Sequence, residues 1–320
     1  MTHKTSPLAA GRPTFLGMPA CDDLDALQAD VAIIGVPFGV PYDMRATVSV
    51  SSGAPDAMRQ QSLRLAPMLT HYNFDFGGPI LAERPVTIVD CGDVAMQPGQ
   101  FEENNRAVAA AIKAIRRRGA VPIVLGGDHS ITTPVVQGYE GLRSLCVVQI
   151  DAHLDWRDEI NGVRYGLSSP MRRASEMPWV SSMIQIGLKA AGSARQAEVD
   201  AARKFGSVLV RAEEVHQAGV DEVLRRLPPA DSYYITVDMD GLDAAIAPGV
   251  GLPSFGGLTY WHATNLLRGV AARGKVVGLD VVEIVPGLDV GGITSLLGAQ
   301  LITNMILALA QEGQIGARKV

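Results

Sequence analysis

Short, almost continuous apolar runs recur along the whole chain, and the stretches between them are mostly long enough for a helix. Eight such runs start near residues 31, 86, 122, 145, 183, 208, 233 and 276. Their length and lack of alternation read as strands buried on both faces, the kind that parallel sheets use. Helices are expected from Pro55 onward, over 101–118, near 193–204, 219–227 and 259–273, and from about 292 to 311. In 101–118, Val108, Ala111, Ile112 and Ile115 fall at i, i+3, i+4 and i+7. Arg116-Arg117-Arg118-Gly119 then closes that helix with a basic last turn and a glycine beyond it. The alternation of strand and helix predicts an α/β fold with a mainly parallel eight-stranded sheet and helices on both faces. A (β/α)₈ barrel has the same element count. Residues 1–25 read as an arm in which Phe15, Leu16 and Met18 are isolated among Pro, Gly and small residues. Such an arm could pack on a neighbouring subunit. Residues 26–320 are expected to form a single domain.

Three of the apolar runs end in polar residues that carry chemistry. Leu145-Cys146-Val147-Val148-Gln149-Ile150 runs into Asp151-Ala152-His153-Leu154-Asp155. Val121-Pro122-Ile123-Val124-Leu125 runs into Gly126-Gly127-Asp128-His129-Ser130, and Tyr233-Tyr234-Ile235-Thr236-Val237 into Asp238-Met239-Asp240. Such ends lie on the edge of a parallel sheet where ligands bind. In an extended chain, Asp151, His153 and Asp155 point to one side. Converging carboxylates and imidazoles are costly to bury without compensation. His129, Asp151, His153, Asp155, Asp238 and Asp240 together suit two divalent ions of borderline hardness. They are too rich in carboxylate for a closed structural zinc site. A long loop over 35–55, broken by Gly39, Pro41, Gly53 and Pro55, starts at a strand end and is placed over this site.

Composition narrows the picture. The 320 residues, 47% hydrophobic and 19% charged, suit a globular enzyme with a large core. A formal net charge of −5 gives no basic footprint for nucleic acid. The three cysteines, Cys21, Cys91 and Cys146, are unclustered, which fits a reducing compartment. The N-terminus lacks an apolar leader and there is no uninterrupted run of 18 apolar residues, so no membrane role and a cytoplasmic location are expected.

Gly126-Gly-Asp-His-Ser130, Asp151-Ala-His-Leu-Asp155, Asp238-Met-Asp-Gly-Leu-Asp243 with Ala247-Pro248-Gly249, and Gly278-Leu-Asp-Val-Val-Glu283 resemble, in order and spacing, the signatures of the ureohydrolase family. That family includes arginase, agmatinase and guanidinobutyrase, and the likeness is to its agmatinase-like branch. It implies a three-layer αβα sandwich rather than a barrel, in the arginase/deacetylase-like class. It also implies homo-oligomers, trimers or hexamers, and two divalent metal ions per chain, manganese by default with nickel suited to the same ligands. His129, Asp151, Asp155 and Asp238 would hold one ion, and Asp151, His153, Asp238 and Asp240 the other, with Asp151 and Asp238 bridging. Two ions about 3.5–4 Å apart can bridge a water and bring its pKa toward about 7, giving a hydroxide that attacks the guanidinium carbon and releases urea and an amine. Asp155 would carry the proton to the leaving amine, and Glu283 would pair with the guanidinium of a small cationic substrate.

Two stretches depart from the family pattern. Tyr165-Gly166-Leu167-Ser168-Ser169-Pro170 stands where the family has a histidine that shuttles protons, which puts Leu167 at that position on the pocket wall. The loop Arg45-Ala-Thr-Val-Ser-Val-Ser-Ser-Gly-Ala-Pro55 replaces a shorter family motif. Trp156, just past the metal motif, is read either as a wall for a flat cation or as part of a charged loop cluster with Arg157, Asp158 and Glu159. Alternative functions are hydrolysis of a substituted guanidine or biguanide such as metformin with loss of an amine, and a weakly active subunit of a hetero-oligomer with a related catalytic chain.

Overall fold

In a computed structural model of the chain, which describes residues 5, 6, 8, 11–40, 42 and 48–316, all eight expected strands are present. They are β1 (Val31–Gly35), β2 (Ile88–Asp93), β3 (Val121–Leu125), β4 (Leu145–Ile150), β5 (Val180–Leu188), β6 (Val208–Arg211), β7 (Ser232–Asp238) and β8 (Val276–Val282). They form one sheet in the order β2-β1-β3-β8-β7-β4-β5-β6, with every pairing parallel. The sheet is open, with β2 and β6 as its edges, so the barrel alternative is excluded. The helices are α1 (Ala54–Ser62), α2 (Ile80–Glu83), α3 (Phe101–Arg117), α4 (Thr132–Gln137), α5 (Pro170–Ser175), α6 (Gln196–Phe205), α7 (Ala212–Ala218), α8 (Val220–Arg225), α9 (Tyr260–Arg273) and α10 (Ile293–Gln311).

Alternate side chains of each strand feed two separate cores. Ile33 of β1 shares one core with Met58 of α1, Val223 of α8, Leu266 of α9 and Ile302 of α10 on one face. Ile34 shares the second core with Ile112 of α3, Val135 of α4, Met171 of α5 and Ala202 of α6 on the other. The result is the three-layer αβα sandwich. Each fully buried aliphatic side chain contributes roughly 1.5–3 kcal/mol relative to exposure.

The short helices α2, α4, α5 and α7 lie outside the expected set. Thr132, Thr133, Val135 and Val136 give α4 a β-branched composition that disfavours helix, and their burial overrides it. The arm folds back on its own sheet. Phe15 and Leu16 are buried in the first core, and Ala20 bridges Asp90 of β2. The last helix is long and apolar enough to cross a membrane, with 78% of its apolar window buried inside the fold. Its Asn304 donates to Tyr260 Oη (2.9 Å) and Thr264 Oγ1 (3.0 Å) of α9, as expected for a core helix.

Candidate metal centre

The order of the strands, not of the sequence, assembles the site. β3, β8, β7 and β4 are neighbours at the middle of the sheet. Their C-terminal ends carry His129, Glu283, Asp238 with Asp240, and Asp151 with His153 and Asp155. Glycine lets the following loops touch. A Cβ on Gly127 would lie 1.8 Å from the Phe38 carbonyl oxygen, and one on Gly241 would lie 2.7 Å from Asp151 Cα. The Phe38 contact brings the start of the long 35–55 loop onto the site, and Val40 N–H also donates to Ser130 Oγ at 3.1 Å. Arg45, Ala46 and Thr47 of that loop lie outside the described residues.

His129 Nδ1 stands 3.1 Å from Asp151 Oδ2, 2.9 Å from Asp155 Oδ2 and 3.1 Å from Asp238 Oδ2. It makes a proper hydrogen bond to none of them. His153 Nδ1 lies 3.1 Å from Asp240 Oδ2 and 3.6 Å from Asp151 Oδ1. Asp151 thus turns one oxygen to each cluster. Asp238 faces His129 with one oxygen and accepts the Asp240 N–H with the other at 2.9 Å. Gln149 Nε2 donates to Asp151 Oδ2 at 2.5 Å and fixes the shared carboxylate from below. The Asp-His-Asp side chains converge as expected, but not by extended alternation. Asp155 has φ +50, and this left-handed turn swings its carboxylate back onto His129. Glu283 is also left-handed, with φ +66. Each such residue costs of order 1–3 kcal/mol, a strain that collects at functional sites.

The electrostatics ask for positive charge. Burial, with Asp151 beside it, raises Asp155 to about 6. Burial and the charges of Asp240 and Asp151 raise Asp238 well above the usual carboxylate range. Burial would lower His129, yet Asp151, Asp155 and Asp238 around it raise it well above its ordinary value. Asp151 and Asp240 push His153 up to about 12. An imidazole nitrogen aimed between three carboxylate oxygens, and bonded to none, fits a divalent cation among them, and the oxygen-rich donor set suits such an ion. His129-Asp151-Asp238 and Asp151-His153-Asp240 each bring their ligand atoms within 4.8 Å of one another.

Residues 29–308 match the sequence model described as the arginase family. The chain belongs to the arginase family. Guanidinopropionase of Pseudomonas aeruginosa is 34% identical over 321 residues, covering 96% of this chain and 94% of that one. Guanidinobutyrase of the same organism is 32% identical, with 95% and 94% covered. Among solved structures, proclavaminate amidino hydrolase from Streptomyces clavuligerus superposes with a TM-score of 0.81 at 29% identity, over 96% of this chain and 100% of that one. Agmatine ureohydrolase of Thermoplasma volcanium gives 0.75 at 28% identity, over 91% and 94%. Arginase-family members are hydrolases that act on guanidino C–N bonds and use a binuclear divalent metal centre.

Within this arginase-family site, Glu283 Oε1 accepts the His129 backbone N–H at 2.7 Å, which holds its carboxylate beside the clusters. Burial and the charge of Asp128 raise it well above the usual carboxylate range. Trp156 needs correcting as a substrate-binding residue. It is 2% exposed and packs in the second core against Phe205, with ring centroids 5.8 Å apart, because the left-handed turn at Asp155 directs the next side chain inward. The flanking charges form the salt-bridge cluster, Arg157–Glu198 at 2.9 Å and Arg173–Asp158 at 2.5 Å. Leu167 is half-buried beside Ser168, whose N–H donates to Tyr42 Oη at 2.7 Å. Tyr42 was not foreseen. Burial chiefly raises its hydroxyl, and Asp155 acts in the same direction. Lys189, at the end of β5, is also new. Its Nζ donates to the Asp240 carbonyl and to Ser254 Oγ, both at 2.6 Å, and burial lowers its pKa.

Proposed function

We propose that this chain hydrolyses the guanidino C–N bond of a small guanidino compound, releasing urea and an amine, at a two-ion centre. The observation that carries the reading is the pair of His/Asp clusters sharing Asp151 beside the Glu283 carboxylate. His129, Asp151, Asp155 and Asp238 would hold one ion, and Asp151, His153, Asp238 and Asp240 the other. Manganese or nickel suits this mixed imidazole and carboxylate set. When bound, the ions supply the charge that makes water acidic enough to attack near neutral pH. Glu283 orients the guanidinium through a charge-assisted contact. Asp155 takes the proton of the attacking water on its carboxylate and returns it to the departing nitrogen.

A cavity of about 900 Å³ opens on the His153 side, lined in part by Lys189, Gly192, Arg203 and Arg211. Arg211 is paired with Glu213 (2.9 Å) and Glu214 (3.2 Å) on the same wall, so Lys189 and Arg203 are the cations left to favour a substrate tail ending in a carboxylate over one ending in an ammonium. The relatives named guanidinopropionase and guanidinobutyrase agree with that preference. The test is an activity panel on Mn²⁺- and Ni²⁺-reconstituted protein across guanidino acids, agmatine, arginine, guanidine and biguanides, measuring urea and amine separately. Urea and amine in equal amounts from a guanidino acid are expected. Metal-loaded protein that releases urea from no member of the panel would overturn the reading, and agmatine as best substrate would overturn the anionic tail.

A further inference from the structure

One layer below the clusters, four polar side chains lie side by side across the middle of the sheet. Gln185 of β5, Gln149 of β4, Thr236 of β7 and Asp280 of β8 are register partners across adjacent strands, and all four are fully buried. Buried polar groups destabilise a fold unless they are bonded. The bonds around Asp280 have a direction that can be read from their donors.

Tyr234 Oη bonds Asp280 Oδ2. Thr132 Oγ1 bonds the same oxygen at 2.8 Å. As a carboxylate Asp280 can only accept, so Oδ2 takes the hydrogens of both hydroxyls, and Oδ1 has no partner. Thr132 has therefore committed its only hydrogen. It can offer Thr236 Oγ1, 3.4 Å away, a lone pair alone. The Thr236 hydrogen is drawn toward Thr132 and Asp280, and Thr236 in turn presents only lone pairs to His129 Nε2 at 3.0 Å. His129 must then carry its proton on Nε2. Its Nδ1, facing Asp151, Asp155 and Asp238, is then the nitrogen whose proton gives way to a divalent ion, leaving the lone pair a metal ligand needs.

We propose that Asp280 is a positioning residue for the metal centre: through Thr132 and Thr236 it fixes the His129 tautomer that exposes Nδ1 to a divalent ion. The inference rests on the two-ion reading above. An amide at position 280 could turn its N–H₂ toward Thr132 and reverse the chain. Thr236 would then donate to Nε2, and the proton would sit on Nδ1, where it blocks a cation.

The test is calorimetric titration of Mn²⁺ into the metal-free protein for the parent, Asp280→Asn, Thr236→Val and Thr236→Ser, with the thermal midpoint of each metal-free protein recorded. Loss of an outer hydrogen-bond partner of a ligating histidine typically weakens metal binding 10–100-fold. That loss is expected in Asp280→Asn and Thr236→Val, whereas Thr236→Ser keeps the hydroxyl and should bind like the parent. A purely structural role would lower the metal-free midpoint and leave the Mn²⁺ affinity where it was. Parental affinity in Asp280→Asn or in Thr236→Val overturns the relay. If Asp280→Asn does not fold, the Val and Ser variants, which leave Asp280 in place, decide between the two outcomes. A parent that binds no Mn²⁺ instead overturns the metal-centre reading on which the relay stands.

Discussion

At the scale of single residues, the carboxylate beside the clusters gives a sharp expectation. Glu283→Gln keeps an oxygen for the His129 N–H and leaves both His/Asp clusters whole, but it removes the charge that faces the guanidinium. Breaking one partner of a buried charge pair costs about 3–5 kcal/mol, which at about 1.4 kcal/mol per tenfold is a hundredfold or more in kcat/KM. Metal content should stay parental; near-parental kinetics on the best substrate would show that Glu283 does not read the cation. Leu167 gives a second expectation. General acid-base help from a histidine is worth about 10²–10⁴-fold, so Leu167→His should shift preference toward arginine or agmatine. An unchanged preference on the same panel would show that this side chain does not line the pocket. The candidate ligands were legible because strand ends bearing His and Asp stand out against apolar runs. Gln149, Thr236 and Asp280 were not, because a lone polar residue inside a strand looks like noise until register lines them up. Tyr42 was hidden for another reason: its partner Ser168 is 126 positions away, and only the folded loop joins them.

At the scale of elements, the expected strand at 86–89 shows where pattern reading stops short. The observed β2 runs Ile88–Asp93 and keeps a buried carboxylate in its middle. Asp90 is tolerated there because Arg59 of α1, itself fully buried, grips it with Nε (2.8 Å) and Nη2 (3.0 Å). The same guanidinium reaches Asp93 Oδ1 at 2.7 Å and the Gly92 carbonyl at 2.9 Å. Asp90 also accepts the Phe15 N–H at 2.7 Å, so one ion pair ties α1, β2 and the arm together. Arg59→Met fills the space but strands the Asp90 charge, and a loss of about 3–5 kcal/mol is expected in urea unfolding. Arg59→Lys should recover little, since an ammonium cannot reproduce the bidentate fork. The arm should also become open to limited proteolysis near Phe15. A stability change under about 1 kcal/mol for Arg59→Met would mean that the pair does not hold these elements.

At the scale of the whole molecule, a sheet whose central strands converge on buried carboxylates should depend on cations for its stability. In the metal-free protein, burial and Asp151 bring Asp155 to about 6, burial brings Asp128 to about 6, and burial with Asp240 and Asp151 raises Asp238 as well. Unfolded carboxylates titrate near about 4, so between there and about pH 6 the folded chain holds more protons than the unfolded one. Its stability therefore falls as pH rises through that window. His153, held up to about 12 by Asp151 and Asp240, extends the same loss above its unfolded value of about 6.5. Asp151 works in the opposite sense: burial alone would raise it, but His129 and His153 lower it, so its contribution is present above about pH 4 and lost only in acid. A divalent ion takes the place of the bound protons, and its affinity should rise with pH. With free Mn²⁺ at about a hundred times its dissociation constant, the gain is about 2.7 kcal/mol. The thermal midpoint in chelator should thus drop between about pH 5.5 and about pH 8, while that in excess Mn²⁺ holds nearly level and the gap widens. Scanning calorimetry at both pH values, with chelator or with Mn²⁺, measures it directly. A gap that narrows as pH rises would show that these carboxylates do not meet a metal ion in the folded chain.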